Sequence, residues 1–335
     1  MNTEHDHLET IPAQRHLIEI LFARGYLTTQ TRINALKWLN PKQNWARWIA
    51  QLLLMMGTTF VLSGTVYFFA FNWANLSVFE KFSLVEIALL ASLFATDHYG
   101  LNDLIGKLSL LSSSILVGVF LAVFGQIYQT GADSYQLFLA WAILISGWVV
   151  ISNFAPLWFV FLVLLNLTLI FYWEQGLFVS HKTEWLLFSS LGLLNAFFLI
   201  LREYGYLKKL AWLTGNWLRV SLVLGILMPL LVPTLLFIVD QHATNNIMMG
   251  VMLSLFAHVA LFIYYRYLQP DLWVIATTIL SICIIVETMS IQIIIKLHDA
   301  IGIFFFLTLS TIGIFYLAVI ILRYIAQTIG NQYEK

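Results

Sequence analysis

Long uninterrupted apolar runs constrain this chain more than any other feature of its sequence. From residue 52 onward, stretches of about twenty mostly apolar residues follow one another with short polar connections. A bilayer holds no water to satisfy backbone N–H and C=O groups, so each run must satisfy its own, and an α-helix does this. The pattern therefore predicts an all-α, polytopic transmembrane helix bundle.

The composition excludes several other classes of protein. Hydrophobic residues make up 60% of the chain and charged residues 10%, against about 25% charged residues in an average soluble domain. A β-barrel would need short strands that alternate apolar and polar residues, and this alternation does not occur. Zero formal net charge argues against a nucleic-acid partner, which requires a basic surface. With one cysteine, Cys283, inside an apolar run, we predict no metal site and no cofactor.

The number of runs predicts about ten spans. A helix needs roughly twenty residues to cross the hydrocarbon, and the chain divides accordingly into residues 1–51, a transmembrane domain over 52–325 and a tail over 326–335. The predicted spans are 52–71, 79–96, 108–127, 134–151, 155–173, 184–201, 217–239, 247–268, 272–295 and 300–324.

Basic residues predict the orientation of these spans. With ten spans and a cytoplasmic amino terminus, 14 of the 17 Lys and Arg side chains fall inside and 3 fall outside. Lys and Arg resist translocation, so this asymmetry indicates that both termini are cytoplasmic.

The region before the first span predicts a small cytoplasmic helical hairpin. Apolar residues recur at helical spacing before Gly25, which is a typical helix stop. Thr28 is a suitable N-cap for a second helix that ends near Asn40-Pro41. Trp45 and Trp48 beside Arg47 are typical of an interfacial anchor.

Three short motifs resemble a known family, the predicted bacterial membrane proteins grouped as domain of unknown function 2157. The most specific begins with Gly125-Gln126-Ile127-Tyr128-Gln129 and continues through Gly131, Asp133, Leu137-Phe138 and Trp141. The others are Gly25-Tyr26-Leu27-Thr28, which leads into Ala35-Leu36-Lys37-Trp38, and Asn72-Trp73. The resemblance implies a multi-pass protein of the bacterial inner membrane, and it implies no activity.

The same Gly125–Trp141 segment is the densest polar cluster near a predicted membrane boundary. Capping explains part of it, since Gly131 suits a helix C′ position and Asp133 with Gln136 has capping-box spacing. Capping does not explain Gln126, which lies inside a span. The alternative is a binding segment for a small polar ligand, whose candidate residues are Gln126, Tyr128, Gln129, Asp133 and Trp141.

Three ionisable residues within predicted spans are candidates for proton or ion handling. Glu287 lies deep in the ninth span, where a carboxylate costs about 2.5–3.5 kcal/mol and usually faces a cavity or a partner. His258 in the eighth span is a candidate partner for it, and the two would form a proton relay. The alternative is a hydrogen-bonded structural pair, or two unrelated polar residues. Glu86 in the second span lies nearer an end, where it could reach the headgroups.

Two prolines predict an irregularity in the seventh span. Pro229 and Pro233 each remove a backbone donor, and a helix broken at this depth would offer carbonyl groups to a substrate. The alternative is a kink without function. In the third span, Ser114, Gly118 and Ala122 form a small-residue stripe that is typical of close helix packing or oligomerisation.

Together these features favour a secondary transporter or permease-like protein for a small solute or ion. The alternative is a non-transporting envelope scaffold, assembly factor or sensor that acts through membrane-protein partners. An intramembrane enzyme ranks third, because it requires two titratable groups that converge on one pocket, and no catalytic residue is predicted.

Overall fold

The fold is that of a computed structural model, which describes residues 18, 20–22, 24–39, 45–72, 76–175, 184–239, 245–297 and 300–333. By its internal contacts the chain forms two compact units, residues 1–61 with 330–335, and residues 62–329.

Helices account for nearly all of the described residues. They are α1 (Thr29–Leu39), α2 (Trp45–Asn72), α3 (Val78–Tyr99), α4 (Leu104–Tyr128), α5 (Ser134–Ser152), α6 (Ala155–Gln175), α7 (Glu184–Leu207), α8 (Asn216–Val239), α9 (Asn245–Ile263), α10 (Leu272–Leu297) and α11 (Ala300–Tyr333). A 3-10 turn, Ala211–Leu213, lies between α7 and α8, and a π-helical turn, Tyr264–Leu268, extends α9.

Each of the ten predicted spans corresponds to its own helix, α2 to α11, and the eighth also includes the π-helical turn after α9, so the all-α polytopic bundle is confirmed. Among the described residues, eight helices are long and apolar enough to cross a membrane, and these are α4 to α11. Helix α2 carries a shorter apolar stretch, Ile49–Thr65, and α3 carries four charged residues. The count of ten spans therefore remains a prediction.

The described part of the first unit contains the predicted turn. Residues 18 and 20–22 are helical, and Gly25 ends this segment at a φ of 78°. The Thr28 hydroxyl then accepts a hydrogen bond from the Thr31 backbone N–H at 3.2 Å, as an N-cap of α1 does. Residues 40–44 and 73–75, and the side chains of Trp45, Arg47 and Trp48, lie outside the described residues.

Helix α8 lies at the centre of the second unit and packs against α7, α9 and α10. Its largest fully buried side chains, Leu222, Leu227 and Leu230, meet Tyr265 and Ile275 in one apolar cluster. A second cluster joins α4, α5 and α6. Apolar side chains also cover the outside of the bundle, as lipid-facing helices require.

Candidate functional site

The predicted polar segment lines a groove where α4 ends, α5 begins and α6 ends. This polar groove has a volume of about 840 Å³. Gln126, Gln129, Thr130 and Asp133 contribute exposed polar side chains to it. The rings of Phe138 and Phe171 stack with centroids 5.3 Å apart and supply an apolar wall.

The capping prediction for this segment is partly wrong. Gln129, not Gly131, ends α4 in the left-handed conformation, at a φ of 45°. Gly131 also has a positive φ but lies two residues later, in the connection. Asp133 does occupy the N-cap position of α5, yet its carboxylate makes no capping hydrogen bond. The Asp133 side chain is therefore available to the groove.

Two of the predicted ligand residues do not line the polar groove. Tyr128 packs on Phe124 and Phe82, with ring centroids 4.7 and 6.1 Å away. The Trp141 indole N–H donates to the Ser114 carbonyl oxygen at 2.7 Å. A Cβ atom at Gly118 would lie 2.4 Å from the Trp141 ring, so the small-residue stripe of α4 receives this indole.

Glu287 lies between α10 and α11. Its Oε1 accepts hydrogen bonds from the hydroxyls of Ser310 and Thr311, at 3.1 and 2.8 Å. Its other oxygen, Oε2, is buried and has no partner among the described residues. Glu86 is exposed on α3.

His258 does not pair with Glu287. Its Nδ1 lies 2.7 Å from the Ser254 carbonyl oxygen and therefore carries the proton that it donates there. Its Nε2 lies 2.7 Å from the Ser281 hydroxyl, from which the neutral ring accepts. Both ring nitrogens thus have partners other than Glu287. The structure holds the predicted relay residues at two separate helix interfaces.

The predicted helix break at Pro229 and Pro233 is absent, because α8 is continuous through both residues. Transmembrane helices tolerate proline where neighbouring groups and Ser or Thr side chains satisfy the freed backbone. The Thr234 hydroxyl donates at 3.1 Å to the carbonyl oxygen of Leu230, next to the Pro229 carbonyl that Pro233 frees. A Cβ atom at Gly250 would lie 2.9 Å from the Pro233 ring, so α9 approaches α8 closely here.

Sequence reasoning missed a charged cluster at the adjoining ends of α7, α8, α9 and α10. It consists of Arg202, Glu203, Arg219 and Asp271, each no more than 6% exposed. Arg219 donates from Nε and Nη2 to the two oxygens of Glu203, at 2.9 and 3.1 Å. It also donates from Nη1 to Asp271, at 2.5 Å.

Further hydrogen bonds complete the charged cluster. Arg202 donates to Glu203 at 2.7 Å and to the carbonyl oxygens of Leu213 and Gly215. The Tyr265 hydroxyl donates to Glu203 at 2.9 Å. Two guanidinium groups and two carboxylates balance in charge, and such bidentate pairs are strong and geometrically specific. The cluster therefore fastens four helices together at one end of the bundle.

The sequence did contain a signal for this cluster. The prediction of orientation used Arg202 and Arg219 only as positive charges. Arg202 directly follows one apolar run, however, and Arg219 lies within another. Glu203, at the end of the same run as Arg202, and Asp271, just before the ninth run, are their natural counterions. Buried charges are paired in folded proteins, so charges of both signs at adjoining span ends predict an ion-pair network. Among the described residues no group of His, Cys, Asp and Glu could hold a metal ion.

Comparison with known proteins finds a family match that covers the polar groove except for Phe171 of α6. Residues 21–158 match the family described as "Predicted membrane protein (DUF2157)", which confirms the predicted resemblance. This region contains the whole connection between α4 and α5 and ends before the charged cluster. No curated protein and no solved structure matches the chain. The family match and the long apolar helices together show that the chain is a membrane protein.

Proposed function

We propose that this protein is a membrane-embedded binding protein for a small, neutral, hydroxyl-bearing solute, and that it acts as a sensor or scaffold without transporting that solute. The observation that carries the proposal is the polar groove between the ends of α4, α5 and α6. Small-molecule sites combine apolar walls with a few well-placed polar groups, and this groove has that composition.

The side chains of the groove favour a neutral ligand. Gln126 and Gln129 can each donate and accept hydrogen bonds, and Thr130 adds a hydroxyl. Asp133 supplies one carboxylate, and among the described residues no cationic side chain lines the groove, so no opposite charge attracts an anion there. The stacked phenyl rings of Phe138 and Phe171 match the apolar face of a sugar-like molecule.

A binding role without transport agrees with the remaining geometry. His258 and Glu287 bond to different partners, and α8 is continuous. A proton-coupled carrier needs its titratable groups and a substrate in one cavity, and neither residue lines the polar groove. The proposal includes an orientation in the bacterial inner membrane with both termini in the cytoplasm. In this orientation the polar groove lies at the outer face of the membrane.

Substitution of Gln126 tests the binding site. Titration of the purified protein with D-glucose, maltose and glycerol, followed by tryptophan fluorescence, should give saturable binding of at least one of them. Gln126→Ala should raise its Kd about fivefold, because one hydrogen bond is worth about 1 kcal/mol.

The matched control is Gln327→Ala, which removes an exposed glutamine on α11 and should leave the Kd unchanged. The proposal fails if none of the three solutes binds, or if the two variants bind equally well.

A second candidate function is a proton-coupled secondary transporter, favoured by the unpartnered Oε2 of Glu287. An intramembrane carboxylate with a free oxygen can take up a proton. In proteoliposomes loaded with a pH-sensitive dye, the same three solutes should then drive proton uptake. Glu287→Gln should abolish this uptake, because the amide keeps the bonds to Ser310 and Thr311 but cannot bind a proton.

Glu86→Gln is the control, since this exposed carboxylate should be dispensable for flux. Proton uptake that persists in Glu287→Gln, or its absence from the unsubstituted protein, removes transport as a candidate.

A further inference from the structure

An apolar groove of about 540 Å³ lies between α7 and α9, with α8 as its floor. Small residues leave this space open on both walls, Gly192 and Ala196 on α7 and Ala257 and Ala260 on α9. A Cβ atom at Gly192 would lie 2.8 Å from the side chain of Leu230. Gly192 therefore allows the floor to approach α7 closely, and the small residues along both walls keep the rest of the groove open.

The apolar groove opens toward the bilayer. Its rims include Leu193, Ile200 and Phe256, which are 56%, 67% and 71% exposed, and all three belong to helices long and apolar enough to span a membrane. Water fills a cavity only where several polar groups can bind it, and the middle of this groove offers none. An occupant must therefore be apolar along most of its length.

One end of the apolar groove is polar. Glu203 and Tyr265 of the charged cluster close it, and Tyr204 and Tyr264 line it beside them. The Lys208 ammonium group lies 5.5 Å from the centroid of the Tyr204 ring. Glu203 is already bonded to both arginines and to the Tyr265 hydroxyl. Lys208 and the hydroxyls of Tyr204 and Tyr264 remain for a ligand. These groups suit a phosphate, which accepts hydrogen bonds and carries negative charge.

The dimensions match a single hydrocarbon chain. From Gly192 to Leu207 the wall of α7 rises about 22 Å at 1.5 Å per residue, which exceeds the roughly 15 Å of one leaflet's hydrocarbon. Spread over this length, the volume corresponds to a mean cross-section of about 25 Å². A helix with its side chains is about 10–12 Å across and would not fit.

We propose that this groove binds one acyl chain of a phospholipid, with the headgroup phosphate beside Lys208 and Tyr204. The chain fills the space left by the four small residues and covers Leu230. The lipid belongs to the leaflet next to the charged cluster. This site is separate from the polar groove, and neither proposal depends on the other.

Native mass spectrometry of the detergent-purified protein, with palmitoyl-oleoyl phosphatidylglycerol added, tests the proposal. We expect one phospholipid to remain bound per protein. Ala260→Trp fills the groove and should lower the bound fraction at least fivefold. Val259→Trp is the matched control, because Val259 is the adjacent exposed residue on α9 and does not line the groove.

A phosphatidylglycerol with a photoreactive acyl chain locates the site. Cross-links should concentrate on residues 192–207 and 253–264 and disappear in Ala260→Trp. Unfolding midpoints show whether each variant folds. If Ala260→Trp does not fold, Ala196→Leu, on the opposite wall of the groove, replaces it. No retained phospholipid, equal retention in the groove-filling and control variants, or cross-links outside these segments would each overturn the proposal.

Discussion

The indole of Trp141 occupies the space that a side chain at position 118 would fill. Its ring lies 2.4 Å from an added Cβ there, and its N–H donates to the Ser114 carbonyl oxygen. One aromatic residue therefore fixes both the separation and the register of α4 and α5. The same two helices form two walls of the polar groove, although Trp141 does not line it.

Gly118→Ala should destabilise the protein, because a methyl group in a packed helix interface forces the indole to move. Overpacking of this kind costs about 1–3 kcal/mol. The unfolding midpoint of the purified protein should fall accordingly. Gly147→Ala is the control, since nothing lies within 4 Å of an added Cβ on that residue of α5. Equal midpoints for the two variants would show that Trp141 does not limit the space at Gly118.

At the scale of elements, α7, α8, α9 and α10 are joined by charge at one end. Arg219 near the start of α8 holds Glu203 at the end of α7 and Asp271 at the start of α10. Asp271 also caps α10, because its Oδ1 accepts from the backbone N–H groups of Trp273 and Val274. The buried side chain of Tyr265 connects the π-helical turn after α9 to the same carboxylate of Glu203.

Arg219→Met should destabilise this four-helix group strongly. It leaves the carboxylates of Glu203 and Asp271 without their shared partner, and breaking a buried pair on one side costs about 3–5 kcal/mol. The loss can be measured as a lower midpoint in thermal unfolding. Arg323→Met removes an exposed arginine of α11 and should change the midpoint little. If both variants lose the same stability, the charged cluster does not fasten the helices.

At the scale of the whole molecule, the helices were predictable and their side-chain partners were not. An apolar run in lipid has to satisfy its own hydrogen bonds, so each run became one helix. Which faces meet depends on neighbours far away in the sequence. His258 therefore bonds to Ser281 and not to Glu287, and Arg219 finds a partner 52 residues later. Three polar residues of the groove, Gln126, Gln129 and Asp133, could be singled out because they are close in sequence, whereas its wall at Phe171 of α6 could not.

The charged cluster also limits the order in which the protein can be assembled. During synthesis, Arg202 and Glu203 leave the ribosome first, then Arg219, and Asp271 only after the rest of α8 and the whole of α9. Until Asp271 has been synthesised, Arg219 lacks one of its two ion-pair partners in the finished protein. In a nascent chain that stops short of α10, Arg219 would thus have Glu203 but not Asp271 as an ion-pair partner.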